Sequence, residues 1–197
     1  MRGIAMGKRA FLFPGQGAQV VGMGKDFFDT YDLAKKRFAE ADEALGYSIS
    51  KLCFEGPADQ LQLTEHTQPA ILTVAVIASE LLRAEGIVPE IAAGHSLGEY
   101  AALVAAGVLS FQDAVLLVHK RGAYMQEAVP VGEGAMAAVI GLGDETIISA
   151  CAEASAVGAV QAVNFNCPGQ TVIAGTAKGV ENAVALLQEK GAKKAVI

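Results

Sequence analysis

Ser96 lies between two glycines, in a pattern typical of a catalytic nucleophile. The segment GHSLG at residues 94–98 matches G-x-S-x-G. In a nucleophile elbow the serine occupies a strained turn between a strand and a helix, and the flanking glycines prevent clashes at that turn. A predicted strand at Ile91–Ala93 precedes the motif, and a helix of small residues, AALVAAG, follows it. The spacing therefore predicts a serine hydroxyl that is held clear of the backbone at the positive end of a helix, as a nucleophile would be.

The same residues also match a second pattern. Ser96 and Glu99 form S-x-x-E, the capping box found where helices begin. A capping serine has no need of glycine on both sides, and this difference favours the elbow. From the spacing alone, both interpretations stay open.

Arg121 is a candidate anion-binding residue on the next predicted helix. Ser110 and Asp113 resemble a capping box and predict a helix that runs from there to about Glu127. Arg121 falls in one stripe of that helix together with Ala114, Leu117, Val118 and Met125. We therefore expect a buried guanidinium, which requires an anion and preferably a carboxylate. That carboxylate could belong to an Asp or Glu of the chain, or it could arrive with a substrate.

A glycine-rich loop, Gly15–Gly17, follows the first predicted strand, Arg9–Phe13. The loop lacks the third glycine of a dinucleotide-binding fingerprint, since Val20 stands at that position, and the chain has no Walker A pattern. A turn of this kind can still present backbone N–H groups to an anion or an oxyanion. The loop is therefore a candidate for binding negative charge, and it does not indicate a nucleotide site.

Three histidines are the candidate general bases. His66 precedes a predicted helix, His95 adjoins Ser96 and should point away from it, and His119 sits beside the stripe that contains Arg121. No spacing links any of them convincingly to the serine. Each is interpreted as a structural or surface residue.

The composition excludes several classes of function. The 197 residues carry a net charge of -6, which argues against the basic face that general nucleic-acid binding requires. Cys53, Cys151 and Cys167 show no CxxC spacing, so we expect reduced thiols and no metal site. The longest apolar stretch, Ala70–Ala78, is far shorter than a membrane span, and the N-terminus lacks the core of a signal peptide. These features predict a cytoplasmic protein that binds neither nucleic acid nor a membrane.

The hydrophobic pattern predicts an α/β fold in two parts, residues 1–130 and 131–197. The main helices of the first part are Tyr31–Leu45 and a helix that starts at Thr67 or Pro69 and ends near Glu85. The second part reads as strand, helix, two strands, helix and strand, and the βαββαβ order is ferredoxin-like. The predicted elements of the second part are Ala135–Leu142, Asp144–Ala154, Val160–Asn164, Thr171–Ala174, Lys178–Lys190 and Lys193–Ile197.

Five segments together resemble the malonyl-CoA:acyl carrier protein transacylase family of bacterial type II fatty acid synthesis. They are FLFPGQGAQ, GHSLGEY, HKRGAYMQEA, GEGAMAAVIGL and NFNCPGQTVIAG, and they occur in the family's order over essentially the whole chain. The resemblance implies an α/β-hydrolase-like large subdomain with an inserted ferredoxin-like small subdomain. The large subdomain would be incomplete at its C-terminal end, so the chain resembles the N-terminal part of the family.

The resemblance also implies roles for individual residues. Ser96 would accept the acyl group, and the backbone N–H groups of Gln16 and Leu97 would form the oxyanion hole. Arg121 would bind the free carboxylate of the malonyl group. Malonyl-CoA would acylate the serine in a ping-pong reaction, and the phosphopantetheine thiol of acyl carrier protein would then take the malonyl group. No cofactor is implied beyond malonyl-CoA and CoA as substrate and product.

The family's pattern includes two further features, a pair of asparagines and a histidine. Asn164 and Asn166 lie in a segment near the family's active-site cleft, and neither is assigned a step. The family's catalytic histidine lies beyond the small subdomain, so we expect it to be absent from this chain, which ends at Ile197. The chain alone would then be almost inactive.

Three other functions are compatible with these sequence features. An acyltransferase domain of a polyketide synthase would use the same chemistry. An α/β-hydrolase esterase would need an acid and then a histidine after the serine, and only His119 follows. A non-catalytic module could keep the fold and bind acyl carrier protein without a catalytic base. Separately from these alternatives, Lys190, Lys193 and Lys194 are candidates for a basic surface on which an acidic carrier protein docks.

Overall fold

The protein contains two separate hydrophobic cores. The computed structural model describes residues 8–130 and 132–196. The chain divides into two units, Met1–Glu127 and Ala128–Ile197. Each unit buries its own set of aliphatic and aromatic side chains, and the two sets share no residue. The α/β fold class predicted from the hydrophobic pattern is confirmed, with strands and helices in both units.

The first unit places two short parallel strands among seven helices of the described chain. β1 (Ala10–Phe13) pairs with β2 (Ile91–Gly94), in a register that sets Ala10 opposite Ile91 and Phe13 opposite Gly94. The helices are α1 (Lys25–Thr30), α2 (Asp32–Leu45), α3 (Ile49–Glu55), α4 (Ala58–Gln62), α5 (Thr64–Ala84), α6 (Gly98–Ala105) and α7 (Phe111–Ala128).

Helix α2 follows its predicted bounds closely because its apolar residues recur at helical spacing. Phe38 and Ala41 are completely buried, and Leu33 and Leu45 pack against the same core. Gly46 ends the helix in the left-handed conformation. The short helices α1, α3 and α4 were not predicted, since each is too short to show a hydrophobic period.

Helix α5 begins at Thr64, so the predicted start at Thr67 or Pro69 is wrong. Pro69 lies in the second turn and has no N–H to donate to the carbonyl of Glu65, four residues earlier. The imidazole of His119 takes the place of that donor, with Nδ1 3.1 Å from the Glu65 oxygen. A side chain of α7 therefore allows the helix to continue through the proline.

The buried face of α7 differs from the predicted stripe. Leu117 and Met125 are 45% and 46% exposed, and Arg121 is only half-buried, so the expectation of a buried guanidinium is wrong. Gly122 explains the difference, because a β-carbon there would lie 2.6 Å from the Thr64 oxygen. The missing side chain lets α7 approach the backbone of α5, which turns Arg121 to the edge of the contact. The buried residues of α7 are Phe111, Ala114, Val115, Val118 and Gly122.

The second unit is a four-stranded antiparallel sheet with two helices. Its strand order is β4-β5-β3-β6, which is the ferredoxin-like arrangement that the βαββαβ pattern predicts. The predicted bounds of α8 match the structure. The final strand is described over Lys194–Val196, and Ile197, the predicted last residue of that strand, lies outside the described residues. The elements are β3 (Gly134–Ile140), α8 (Asp144–Ala154), β4 (Val160–Cys167), β5 (Gln170–Thr176), α9 (Ala177–Glu189) and β6 (Lys194–Val196).

Among the helices of residues 8–130 and 132–196, none is both long enough and apolar enough to cross a membrane.

Replacing Gly122 by alanine tests the close contact between α5 and α7. We expect Gly122→Ala to lower the free energy of unfolding by about 1–3 kcal/mol, because the new methyl group must push two backbones apart. Urea unfolding followed by circular dichroism measures the change. Lys120→Ala, at an exposed position of the same helix, is the matched control and should stay within about 0.5 kcal/mol of the parent. An unchanged stability in Gly122→Ala would show that the two helices separate without cost.

Candidate active site

Ser96 occupies a strained turn between β2 and α6. Its φ angle is +54°, and it is the one non-glycine residue with positive φ in the described parts of the chain. A serine in this left-handed region costs on the order of 1–2 kcal/mol relative to an ordinary conformation. The residue is exposed, so the turn holds its hydroxyl at the surface of the first unit. This geometry is that of a nucleophile elbow.

The two glycines of the motif are required by close backbone contacts. A β-carbon at Gly94 would lie 2.0 Å from the carbonyl carbon of Gly98. A β-carbon at Gly98 would lie 2.3 Å from the carbonyl oxygen of Phe13, on the neighbouring strand. Helix α6 begins at Gly98 without a side-chain cap, so the capping-box interpretation of Ser96 is wrong. The elbow accounts for both glycines.

The loop after β1 lies against the elbow. Phe13 and Gly94 are opposite each other at the ends of the parallel strands, and the backbone N–H of His95 donates to the Phe13 oxygen at 3.0 Å. Gly15 of this loop is buried against His95. A β-carbon at Gly15 would lie 2.8 Å from both the carbonyl oxygen and Nδ1 of His95, so the loop has no room for a side chain there. Gln16 follows directly in the chain. The predicted oxyanion-binding loop and the serine turn therefore leave the same edge of the sheet.

Arg121 contacts the serine directly. Its Nη2 donates to Ser96 Oγ at 3.1 Å, and its Nη1 donates to Oε1 of Gln68 at 2.8 Å. Within the described residues, no Asp or Glu side chain forms an ion pair with this guanidinium. An internal carboxylate partner, one of the two predicted possibilities, is therefore not found there. A positive charge therefore lies beside the Ser96 hydroxyl.

Gln68 is a residue of this site that was not predicted from the sequence. Its side chain is completely buried, and Nε2 lies 3.4 Å from Sδ of Met125. Gln68, Leu72 and Val76 recur at four-residue spacing, and all three are fully buried in α5. The sequence signal for Gln68 is a polar residue at the same helical spacing as the apolar residues Leu72 and Val76. The predicted helix start at Thr67 or Pro69 put Gln68 at the end of the helix, where a polar residue is ordinary.

His66 and His119 have structural roles in the first unit. Nδ1 of His66 lies 2.9 Å from the Gln60 carbonyl oxygen, and Nδ1 of His119 contacts the Glu65 oxygen described above. Both rings pack against Tyr47, with centroids 5.4 and 5.8 Å away. Burial raises the pKa of the Tyr47 phenol, with a further contribution from the nearby Glu65 carboxylate. This cluster stabilises the start of α5.

The cysteines take no part in the serine site. Cys53 and Cys151 are buried in the two cores and Cys167 is exposed on β4, all as free thiols. Burial raises the pKa of the Cys53 thiol to about 12, so it stays protonated near neutral pH. Among the described residues, the His, Cys, Asp and Glu side chains form no group that could hold a metal ion.

Comparison with known proteins places these features in a family. The family model described as "Acyl transferase domain" matches residues 10–197. The malonyl CoA-acyl carrier protein transacylase of Bacillus subtilis strain 168 is 54% identical over 192 residues, which are 97% of this chain and 61% of that protein.

Two solved structures show the same likeness. The acyl-carrier-protein S-malonyltransferase of Burkholderia pseudomallei 1710b is 54% identical with a TM-score of 0.88, over 96% of this chain and 62% of that one. A malonyl-transacylase in complex with a type II polyketide synthase acyl carrier protein is 46% identical with a TM-score of 0.91, over the same shares, 96% and 62%.

The chain thus spans about three fifths of the length of these relatives, with 61% and 62% covered. The match includes the first strand, the Ser96 elbow, the Arg121 helix and the whole ferredoxin-like unit up to its last strand. The strained serine, its two required glycines and the adjacent arginine all lie inside the matched region. The chain belongs to the acyl transferase domain family.

Proposed function

We propose that the protein moves a malonyl group from malonyl-CoA to the phosphopantetheine thiol of acyl carrier protein, through an ester on Ser96, in fatty acid biosynthesis. The observation that carries the proposal is the 3.1 Å contact between Arg121 Nη2 and Ser96 Oγ. This contact sets a permanent cation beside a serine that is exposed and has a strained backbone. An acyl group that carries its own carboxylate suits such a site.

The proposed reaction has two half-reactions that exchange an ester and a thioester. In the first, Ser96 Oγ attacks the thioester carbonyl carbon, the bond from that carbon to the CoA sulfur breaks, and the serine proton leaves with the CoA thiol. In the second, the carrier thiol sulfur attacks the carbonyl carbon of the seryl ester, the bond from that carbon to Oγ breaks, and the thiol proton passes to Oγ. Neither half-reaction changes an oxidation state, so no redox cofactor is needed. The proposal includes malonyl-CoA as substrate, CoA as product and no further cofactor.

Each half-reaction passes through a tetrahedral intermediate with a negative oxygen, for which we propose the N–H groups of Leu97 and Gln16 as donors. The N–H groups of Gly98 and Glu99 donate to backbone oxygens in the turn, whereas the Leu97 N–H donates to no backbone oxygen of the described residues outside a helix or strand. The Leu97 side chain is 1% exposed, so packing holds this peptide in place. Gln16 supplies the second donor from the adjacent loop.

Arg121 is proposed to bind the malonyl carboxylate. Only one methylene group separates that carboxylate from the ester carbonyl on Ser96, so it can reach a guanidinium that already contacts Oγ. A carboxylate and a guanidinium form strong charge-assisted hydrogen bonds. An acetyl group would leave the cation without its anion, which disfavours acetyl-CoA.

The partners and organisation of the protein are part of the same proposal. The acceptor is an acyl carrier protein, as in the solved complex of a malonyl-transacylase with its carrier, and the reaction takes place in the cytoplasm. We propose a large subdomain over residues 1–130 and a small one over residues 131–197. The comparisons do not favour a polyketide synthase domain, an esterase or a non-catalytic carrier-binding module, because the relatives described above are named as malonyl transferases.

The seryl ester is directly testable in the complete gene product. After mixing with malonyl-CoA, we expect intact mass spectrometry to show one added malonyl group, and peptide mapping to locate it on Ser96. Ser96→Ala should acquire none, because no other hydroxyl occupies the elbow. Ser149→Ala removes an exposed serine from α8 and should be labelled like the parent. Labelling of Ser96→Ala to the same extent as the parent would refute the proposed nucleophile.

The role of Arg121 is tested by comparing two acyl donors. We expect Arg121→Ala to lower kcat/KM for malonyl-CoA by about 10- to 100-fold, since hydrogen bonds to a charged group contribute about 1.5–3 kcal/mol. The value for acetyl-CoA should change little, so that the malonyl preference collapses. Lys120→Ala removes an exposed neighbouring cation as the control. A malonyl-to-acetyl ratio unchanged in Arg121→Ala would overturn the carboxylate role.

A further inference from the structure

Gln68 holds the guanidinium of Arg121 from the side opposite the serine. Oε1 of Gln68 accepts from Nη1 at 2.8 Å, while Nη2 of the same guanidinium reaches Ser96 Oγ at 3.1 Å. The guanidinium is planar and rigid, so fixing one nitrogen restricts the direction of the other. We infer that Gln68 is a positioning residue that sets the specificity of the site for carboxylate-bearing acyl groups; this inference rests on the proposed function.

The chemistry of the two groups fixes how the amide is oriented. A guanidinium has donors only, so the oxygen of the Gln68 amide must face Arg121. The amide nitrogen then faces Sδ of Met125 at 3.4 Å, and a thioether sulfur is a weak acceptor. A flipped amide would set donor against donor at Arg121. Gln68 can therefore present one arrangement only.

The backbone around Gln68 is held from several directions. The preceding residue, Thr67, is completely buried and its hydroxyl donates to the Leu61 carbonyl oxygen at 2.6 Å. His119 binds the carbonyl oxygen that Pro69 leaves without a helical donor, and Gly122 keeps α7 close to this turn. The Gln68 side chain itself has no exposed surface. Its amide therefore acts as a fixed acceptor.

The neutral charge of Gln68 matters as much as its position. The chain contains a contrasting case, Arg37, which binds Glu80 through two bonds of 2.8 and 2.6 Å and Glu40 through one of 2.6 Å. These carboxylates neutralise Arg37 and hold its pKa above the usual value. Gln68 orients Arg121 with an oxygen of similar geometry but leaves the positive charge for a ligand.

Replacing Gln68 by its charged isostere separates position from charge. In the complete gene product, we expect Gln68→Glu to raise KM for malonyl-CoA and to lower the malonyl-to-acetyl ratio of kcat/KM by about 10- to 100-fold, since a buried carboxylate occupies the guanidinium. Gln68→Met keeps the volume but removes the acceptor, and it should lower the same ratio by about 10-fold. Gln112→Glu and Gln112→Met, at an exposed position of α7, are the matched controls.

The effects of each substitution on kcat/KM for malonyl-CoA and for acetyl-CoA decide whether Gln68 is a positioning residue. A selective loss with malonyl-CoA supports the positioning role, whereas equal losses with malonyl-CoA and acetyl-CoA indicate a merely structural role and overturn it. If Gln68→Met fails to fold by circular dichroism, the isosteric Gln68→Glu decides alone. A ratio that collapses in Arg121→Ala but stays unchanged in Gln68→Glu overturns this inference only. A ratio unchanged in both variants overturns the carboxylate-binding function itself.

Discussion

The close approach of three backbone segments at Ser96 is the constraint on which the site depends. The end of β1, the end of β2 and the start of α6 come together so tightly that Gly94 and Gly98 have no room for a side chain. Hydrogen bonds of the parallel strands and the buried Leu97 hold these segments in place. The packing therefore maintains the unfavourable φ angle of Ser96, and its hydroxyl stays exposed at the end of the sheet.

The second requirement is a cation that the protein orients without neutralising. The close contact of α5 and α7 at Gly122 brings Arg121 to the serine, and the buried amide of Gln68 aligns it. The half-buried position suits this task, because complete burial without a carboxylate would be costly. Arg37, by contrast, is paired with two carboxylates, those of Glu40 and Glu80. An amide partner orients a guanidinium without adding the negative charge that a carboxylate would bring.

The ferredoxin-like unit and the serine elbow could be predicted from the sequence, whereas the start of α5 and the exposure of Arg121 could not. The βαββαβ unit was predictable because its hydrophobic periods are regular and its turns are short. The elbow was predictable because a serine that only caps a helix does not require a glycine on each side. The helical course of α5 through Pro69 was not, since it depends on His119 from a distant segment. The burial of Arg121 was misjudged because a glycine, which carries no hydrophobic signal, sets the rotation of α7.

The left-handed conformation of Ser96 also restricts which side chains can occupy this position. A β-branched side chain is strongly disfavoured at positive φ, because its second γ atom meets the backbone. Threonine would offer the same hydroxyl chemistry, yet it would strain the turn and crowd the contact with Arg121. Cysteine has the same unbranched shape as serine and fits the conformation. In this elbow, the backbone thus allows a change from oxygen to sulfur more readily than the addition of one methyl group.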